Sequence, residues 1–151
     1  MTKGFSGFDD EDSTITGTLK ATDLEGLTDG TVFSIASADT PVNGTTSIDP
    51  ATGAWTYTPN DNFNGKDSFT VTITDNLGGI TIQVISLKIY PIDDAPVVSG
   101  SFTGSVTEES GTNTATGSLS IADVDGGDSP SFADVPATPG NNGYGSFALN
   151  K

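Results

Sequence analysis

Residues 16–26 carry a pattern that the chain repeats one hundred residues later. Thr16-Gly17-Thr18-Leu19-Lys20-Ala21-Thr22-Asp23-Leu24-Glu25-Gly26 aligns without a gap on Thr116-Gly117-Ser118-Leu119-Ser120-Ile121-Ala122-Asp123-Val124-Asp125-Gly126. Self-similarity at a fixed offset marks a modular array. A period near a hundred residues is too long for one turn of a solenoid, but it suits one small β-sandwich per copy. A chain built this way calls for a search at its modules and junctions before any single pocket.

Composition narrows the class further. Twenty acidic residues face five lysines, with no Arg and no His, giving a formal charge of −15. Neutralising nucleic-acid phosphates requires a basic surface, so nucleic acid is excluded as a partner. Anionic membranes are disfavoured for the same reason, and no apolar run has membrane-spanning length. Cys is absent, so disulfides cannot staple the fold. A small secreted module without disulfides can use bound metal instead. The N-terminus has no apolar stretch of the kind found in a conventional signal peptide.

The apolar residues are few but periodic. Ile15, Gly17, Leu19 and Ala21 alternate with Thr and Lys, and Thr31–Ile35 follows the Asp29-Gly30 turn. Thr45–Ile48 leaves an Asn43-Gly44 turn, and Ala54–Thr58 places Trp55 and Tyr57 on one face. Phe69, Val71 and Ile73 alternate with Thr70, Thr72 and Thr74. In Ile80–Tyr90 the apolar positions change from even (Ile82, Val84) to odd (Ile85, Leu87, Ile89), which predicts a bulge. No segment sustains a helical period. The expected fold is all-β, an Ig-like or cadherin-like Greek-key β-sandwich over 1–95. The truncated N-terminal portion of a second repeat follows over 96–151, with strands near Ser101–Val106, Gly117–Ala122 and Tyr144–Leu149.

These residues resemble a family. Tyr57-Thr58-Pro59-Asn60-Asp61-Asn62-Phe63-Asn64-Gly65-Lys66-Asp67-Ser68-Phe69-Thr70, leading into Thr74-Asp75-Asn76-Leu77-Gly78-Gly79, is similar to bacterial cadherin-like tandem repeats. Ile92-Asp93-Asp94-Ala95-Pro96-Val97 resembles their Asp/Asn-Ala-Pro junction. Val106-Thr107-Glu108-Glu109 through Asp123–Asp128 resembles the opening of a VCBS-type repeat. The resemblance implies a large RTX-type adhesin, exported by type I secretion to the bacterial surface. Such adhesins use many Ig-like extender domains, stiffened by calcium between domains, to hold a binding tip away from the cell.

The junction also carries an argument from charge. In an Ig-type sandwich, Glu11 belongs to a loop at the end from which the last strand leaves, and Asp67 enters a strand from that end. Asp93 and Asp94 follow the last strand. Asp123 and Asp125 occupy the loop of the second copy expected beside them. Such a concentration of carboxylates repels itself unless a cation or a proton relieves it. Six to eight hard oxygen ligands suit Ca²⁺, and the absence of His and Cys leaves zinc and copper poorly served. The expected metal set is therefore Glu11, Asp67, Asp93, Asp94, Asp123 and Asp125. Asp23 and Glu25 would face an upstream domain.

No catalytic constellation emerges. There is no phosphate loop and no Ser/His/Asp set, and nothing fixes two carboxyls in a cleft, so no enzyme is expected. The Thr ladder, Asp49-Pro50 and the strand lysines Lys20 and Lys88 read as ordinary sheet and turn residues rather than ice-binding, self-cleaving or isopeptide sites. The expected function is an extracellular, calcium-stiffened extender repeat supporting cell adhesion or biofilm attachment, with neighbouring repeats of the same chain as partners. The alternative is an adhesion module that binds a glycan or protein on a host or biofilm surface through Asn60–Asp67 or Pro136–Gly143. Residues beyond about Asp128 should be either partly disordered or paired with strands of another molecule.

Overall fold

A computed structural model describes residues 5–22, 32–109, 111 and 113–151. The chain divides into two compact units, Met1–Ile92 and Asp93–Lys151. The expectations placed on Asp23, Glu25, Asp29-Gly30 and Thr31 lie outside the described residues.

The first unit contains seven described strands: β1 (Ser6–Asp10), β2 (Ile15–Thr18), β3 (Phe33–Ser34), β4 (Gly44–Ile48), β5 (Ala54–Pro59), β6 (Gly65–Thr74) and β7 (Ile80–Tyr90). They form two sheets, ordered β1-β7-β6-β3 and β2-β5-β4. The chain crosses between the sheets after β1, β2, β3 and β5, while β4-β5 and β6-β7 pair as hairpins, as in the Greek-key sandwiches of Ig domains. The expected all-β sandwich is what the chain forms.

Alternation along the strands places the core. Trp55 and Tyr57 from β5, Phe69, Val71 and Ile73 from β6, and Ile85, Leu87 and Ile89 from β7 are all buried, with Ile15, Leu19 and Phe33. Fully burying one such aliphatic or Phe side chain contributes roughly 1.5–3 kcal/mol. Trp55 meets Phe69 edge to face, with ring centroids 5.6 Å apart and planes inclined at 71°. The indole lies against Gly17, where an added Cβ would come within 2.3 Å of Trp55 Cζ2. Glycine at position 17 is therefore what lets β2 and β5 hold a tryptophan between the sheets.

Turn chemistry sets the register of β5. Asp49 Oδ1 accepts the amides of Ala51 at 2.9 Å and Thr52 at 2.7 Å. These bonds, those to Thr52 first, hold the Asp49 carboxyl below its ordinary pKa. Gly53 closes the turn at φ 70°, a conformation that strains any side chain, and an added Cβ there would strike the Leu19 carbonyl.

The bulge expected in Ile80–Tyr90 is absent. Pairing runs without a shift from Gly65↔Ile89 to Thr74↔Ile80. Ile82 and Val84 are 66% and 47% exposed, so they stand on the outer face of a regular strand. The phase change comes from aliphatic residues on both faces of β7, not from an inserted residue. Thr70, Thr72 and Thr74 also take the outer face, where Val84, Ile82 and Ile80 stand opposite them and leave them half-buried.

The second unit holds β8 (Val97–Gly100), β9 (Leu119–Ala122), β10 (Val135–Pro139) and β11 (Ser146–Leu149), paired as two separate antiparallel ribbons, β8-β9 and β10-β11. The strand expected at Ser101–Val106 lies earlier, at Val97–Gly100. There the adjacent β-branched pair Val97-Val98 meets Ala122 and Ile121, and Gly100 at φ 123° ends the strand. Pro136–Gly143, read as a loop, instead contributes most of β10, followed by a Gly140–Gly143 turn. Proline is tolerated there because the ribbon has open edges. Val135–Pro139 and Ser146–Leu149 pair with each other antiparallel within the chain, as a hairpin.

Candidate metal centre

Five acidic residues of the second unit gather where two segments of backbone fold together. The segment before β8 carries Asp93 and Asp94, and the loop after β9 carries Asp123, Asp125 and Asp128. Asp94 N donates to Asp125 Oδ2 at 2.7 Å, and Asp125 N donates to Asp123 Oδ1 at 3.0 Å. Asp128 N donates to the Asp125 carbonyl at 3.1 Å, so Gly126-Gly127 turns the chain tightly enough to return Asp128 to the cluster. One carboxylate oxygen each from Asp93, Asp125 and Asp128 lies within 4.8 Å of the other two.

Electrostatics follow from that crowding. A hydrogen bond with Asp93 is the main cause holding the Asp128 carboxyl above its ordinary pKa, with partial desolvation and the charges of Asp93, Asp123 and Asp125 adding to it. Asp93, Asp94, Asp123 and Asp128 also line one shallow concavity, together with Pro96 and Pro130. The donors are all hard carboxylate oxygens, which fits calcium or magnesium and offers nothing to soft metals.

Among the six residues expected to bind metal, four belong to this unit: Asp93, Asp94, Asp123 and Asp125. The structure brings Asp93 and Asp125 into the carboxylate cluster, while Asp94 and Asp123 are joined to Asp125 through the amide hydrogen bonds just described. Asp128 completes the cluster and was not in the expected set. The Gly-Gly turn between Asp125 and Asp128 was the available signal.

Glu11 and Asp67 belong to the first unit and have separate hydrogen-bond partners. Glu11 is the one buried charged residue among the described residues, 1% exposed in the turn after β1. Its Oε1 accepts the Ile92 amide at 2.8 Å, and Oε2 accepts Asn64 Nδ2 at 3.4 Å. The turn continues through Asp12 at φ 64°, which Asp tolerates better than most residues. Asp67, the third residue of β6, accepts the amides of Val42 (3.2 Å), Asn43 (2.8 Å) and Ser68 (2.8 Å), and the Tyr57 hydroxyl (3.0 Å). Both oxygens of Asp67 are therefore engaged by protein donors.

Comparison with known proteins agrees with the sandwich. A family model described as Bacterial Ig domain matches residues 5–88, more than half of the chain. No curated protein matches the chain at a significant level.

Proposed function

Because this chain belongs to the bacterial Ig-domain family, we propose that it is an extender repeat of a cadherin-like, VCBS-bearing adhesin of the RTX type, stiffened by calcium. Bacterial Ig domains are typically non-enzymatic structural modules and are commonly extracellular or surface-exposed. No helix among the described residues is long and apolar enough to cross a membrane. In the proposed role the repeat transmits reach and rigidity, adjoining repeats of the same chain are its partners, and type I secretion delivers it to the cell surface.

The observation that carries the calcium part is the convergence of Asp93, Asp125 and Asp128 within 4.8 Å. Asp93 and Asp94 directly follow Ile92, whose amide is held by Glu11. A cation on the cluster would relieve its repulsion and fix the start of the second unit to the loop after β9. When bound, Ca²⁺ supplies positive charge and 6–8 oxygen-ligand positions. Asp93, Asp125 and Asp128 would hold it, while Asp123 orients the Asp125 backbone.

Small-angle scattering on a polypeptide of two complete repeats tests the extender role. The distribution of maximum dimensions should be narrow in millimolar Ca²⁺ and broaden on chelation. Asp93→Ala with Asp94→Ala should broaden it even with Ca²⁺ present. Equal rigidity under all three conditions would remove calcium and these acids from the mechanism.

A second reading, recognition of a glycan or protein on a host or biofilm surface, is supported by Tyr144. This side chain is 96% exposed beside the Gly140–Gly143 turn, where an aromatic ring could stack on a sugar. Tyr144→Ala would abolish glycan-array binding if that reading holds and leave extension unchanged.

A further inference from the structure

Two of the five lysines in the chain stand directly opposite each other on neighbouring strands. Lys66 of β6 is the Cα partner of Lys88 of β7, and Phe8 of β1 is the partner of Lys88 on its other side. All three side chains are exposed, so Phe8, Lys88 and Lys66 form one row across the outer face of the β1-β7-β6-β3 sheet. Like charges set opposite each other on a sheet destabilise it. The chain has twenty acidic residues to offset that repulsion, yet neither lysine is ion-paired with a described carboxylate. Asp10 stands opposite Tyr90 on the same face, but Lys88 Nζ is held over the Tyr90 ring, 4.4 Å from its centroid.

Aromatic rings border the lysines. Phe8 is 71% exposed and Tyr90 39%, and the two rings meet edge to face with centroids 6.5 Å apart and planes inclined at 79°. In the next row of the same face, Ser6, Ser86 and Ser68 stand in register, all exposed. Two residues separate the rows, about 7 Å along the strands. β7 is hydrogen-bonded to β1 on one side and to β6 on the other, so its backbone is already paired. A polypeptide lying on this face therefore finds no open ladder to join. What the face offers is side chains: two ammonium groups, two aromatic rings and three hydroxyls.

We propose that this face binds a carboxylate-bearing polysaccharide, one built from uronic acid units. Opposed residues on neighbouring strands hold their Cβ atoms about 4.5–5.5 Å apart, so Lys66 and Lys88 can both reach one sugar carboxylate. Charge-assisted hydrogen bonds from the two ammonium groups then relieve the repulsion between them. The C–H face of a pyranose ring packs on the exposed ring of Phe8, whose π face is negative. Ser6, Ser86 and Ser68 hydrogen-bond the hydroxyls of an adjoining sugar, as donors or acceptors. The net negative charge of the chain does not prevent this, because at physiological salt exposed charges more than about 8 Å away are largely screened. Every residue of the site lies in the first unit, and neither the Asp93, Asp125 and Asp128 cluster nor Tyr144 takes part.

The test uses the full chain and a fluorescently labelled oligomer of galacturonic acid, followed by anisotropy with Ca²⁺ chelated so that calcium cannot bridge the two. Wild type should give a saturable rise that weakens as salt is added. A neutral galactose oligomer of the same length, and a polyglutamate peptide of the same charge, should bind at least about tenfold more weakly. Lys66→Gln with Lys88→Gln, and separately Phe8→Ala, should weaken the uronate oligomer by a similar factor while leaving circular dichroism and the buried Trp55 emission unchanged. Lys66→Gln alone should not lower the melting temperature, since it removes a like-charge pair. Tyr144→Ala should bind as wild type does, which separates this site from the Gly140–Gly143 turn. Absence of saturable binding, equal binding of the neutral oligomer or of polyglutamate, or full binding by the double-lysine variant would overturn the inference.

Discussion

Tyr57 directs its hydroxyl at Asp67 Oδ2 across 3.0 Å, and both side chains reach the backbone of Asn43. Asn43 N donates to Asp67 Oδ2 at 2.8 Å, and its carbonyl lies 3.1 Å from the Tyr57 hydroxyl. With Val42 N and Ser68 N on Oδ1, the carboxylate clasps the segment before β4 to the start of β6. Asp67→Ala strands several of these donors and should cost about 1–3 kcal/mol. Chemical denaturation should give the same loss with Ca²⁺ present or chelated. A loss seen only in Ca²⁺ would instead make Asp67 a metal ligand.

The same pair predicts a response to alkali. Burial raises the Tyr57 pKa above its ordinary 10.0, and the hydrogen bond to Asp67 and its charge raise it further. The folded state thus holds the phenol proton more tightly than the unfolded chain. That contribution is complete below the unfolded value and is lost as pH climbs through the folded one. Melting temperature should fall steadily above pH ~10. Tyr57→Phe, less stable at neutral pH, should show a shallower alkaline fall. Parallel curves for the two proteins would disprove the link.

The regular register of β7 makes neighbouring positions respond very differently. Ile85 is 0% exposed, and Ile85→Ala should cost about 2–5 kcal/mol. Ile82 is 66% exposed on the outer face, and Ile82→Thr should change stability by no more than about 0.5 kcal/mol. Comparable losses at both positions would restore the bulge.

Trp55 reports on the centre of the sandwich. Trp55→Ala should cost roughly 3–5 kcal/mol through the cavity it opens between β2, β5 and β6. In the unsubstituted chain its fluorescence should be shifted to the blue and resist quenching by acrylamide. Ready quenching would contradict its 1% exposure.

Strands whose inner faces carry large apolar side chains could be recognised from alternation alone, as β5 and β6 were. β1 could not. Its Ser-Gly-Phe-Asp-Asp sequence leaves Phe8 71% exposed, and the strand is held by parallel pairing to β7. Gly7 packs beneath Trp55 and Ile15, a contact that only the folded chain creates. β7 was misphased because hydrophobicity does not say which face of a strand is covered. β10 was hidden by Pro136 and Pro139, residues a central strand would exclude. At the site, the linker acids and the Asp123-x-Asp125 loop stood out by charge. Asp128 joined them only through the turn that returns it toward Asp93. The partners of Asp67 at Val42, Asn43 and Tyr57 lie 10 to 25 residues away, and no local pattern announces them.

Isothermal titration calorimetry most directly tests the proposed binding of calcium by Asp93, Asp125 and Asp128. Wild-type chain at neutral pH should bind Ca²⁺ with a Kd on the order of 10⁻⁴–10⁻³ M, the range of extracellular modules, and bind Mg²⁺ more weakly. The double substitution Asp125→Asn with Asp128→Asn should abolish the Ca²⁺ heat while leaving Trp55 emission unchanged. No saturable Ca²⁺ binding by wild type, or the same isotherm after the double substitution, would contradict the account.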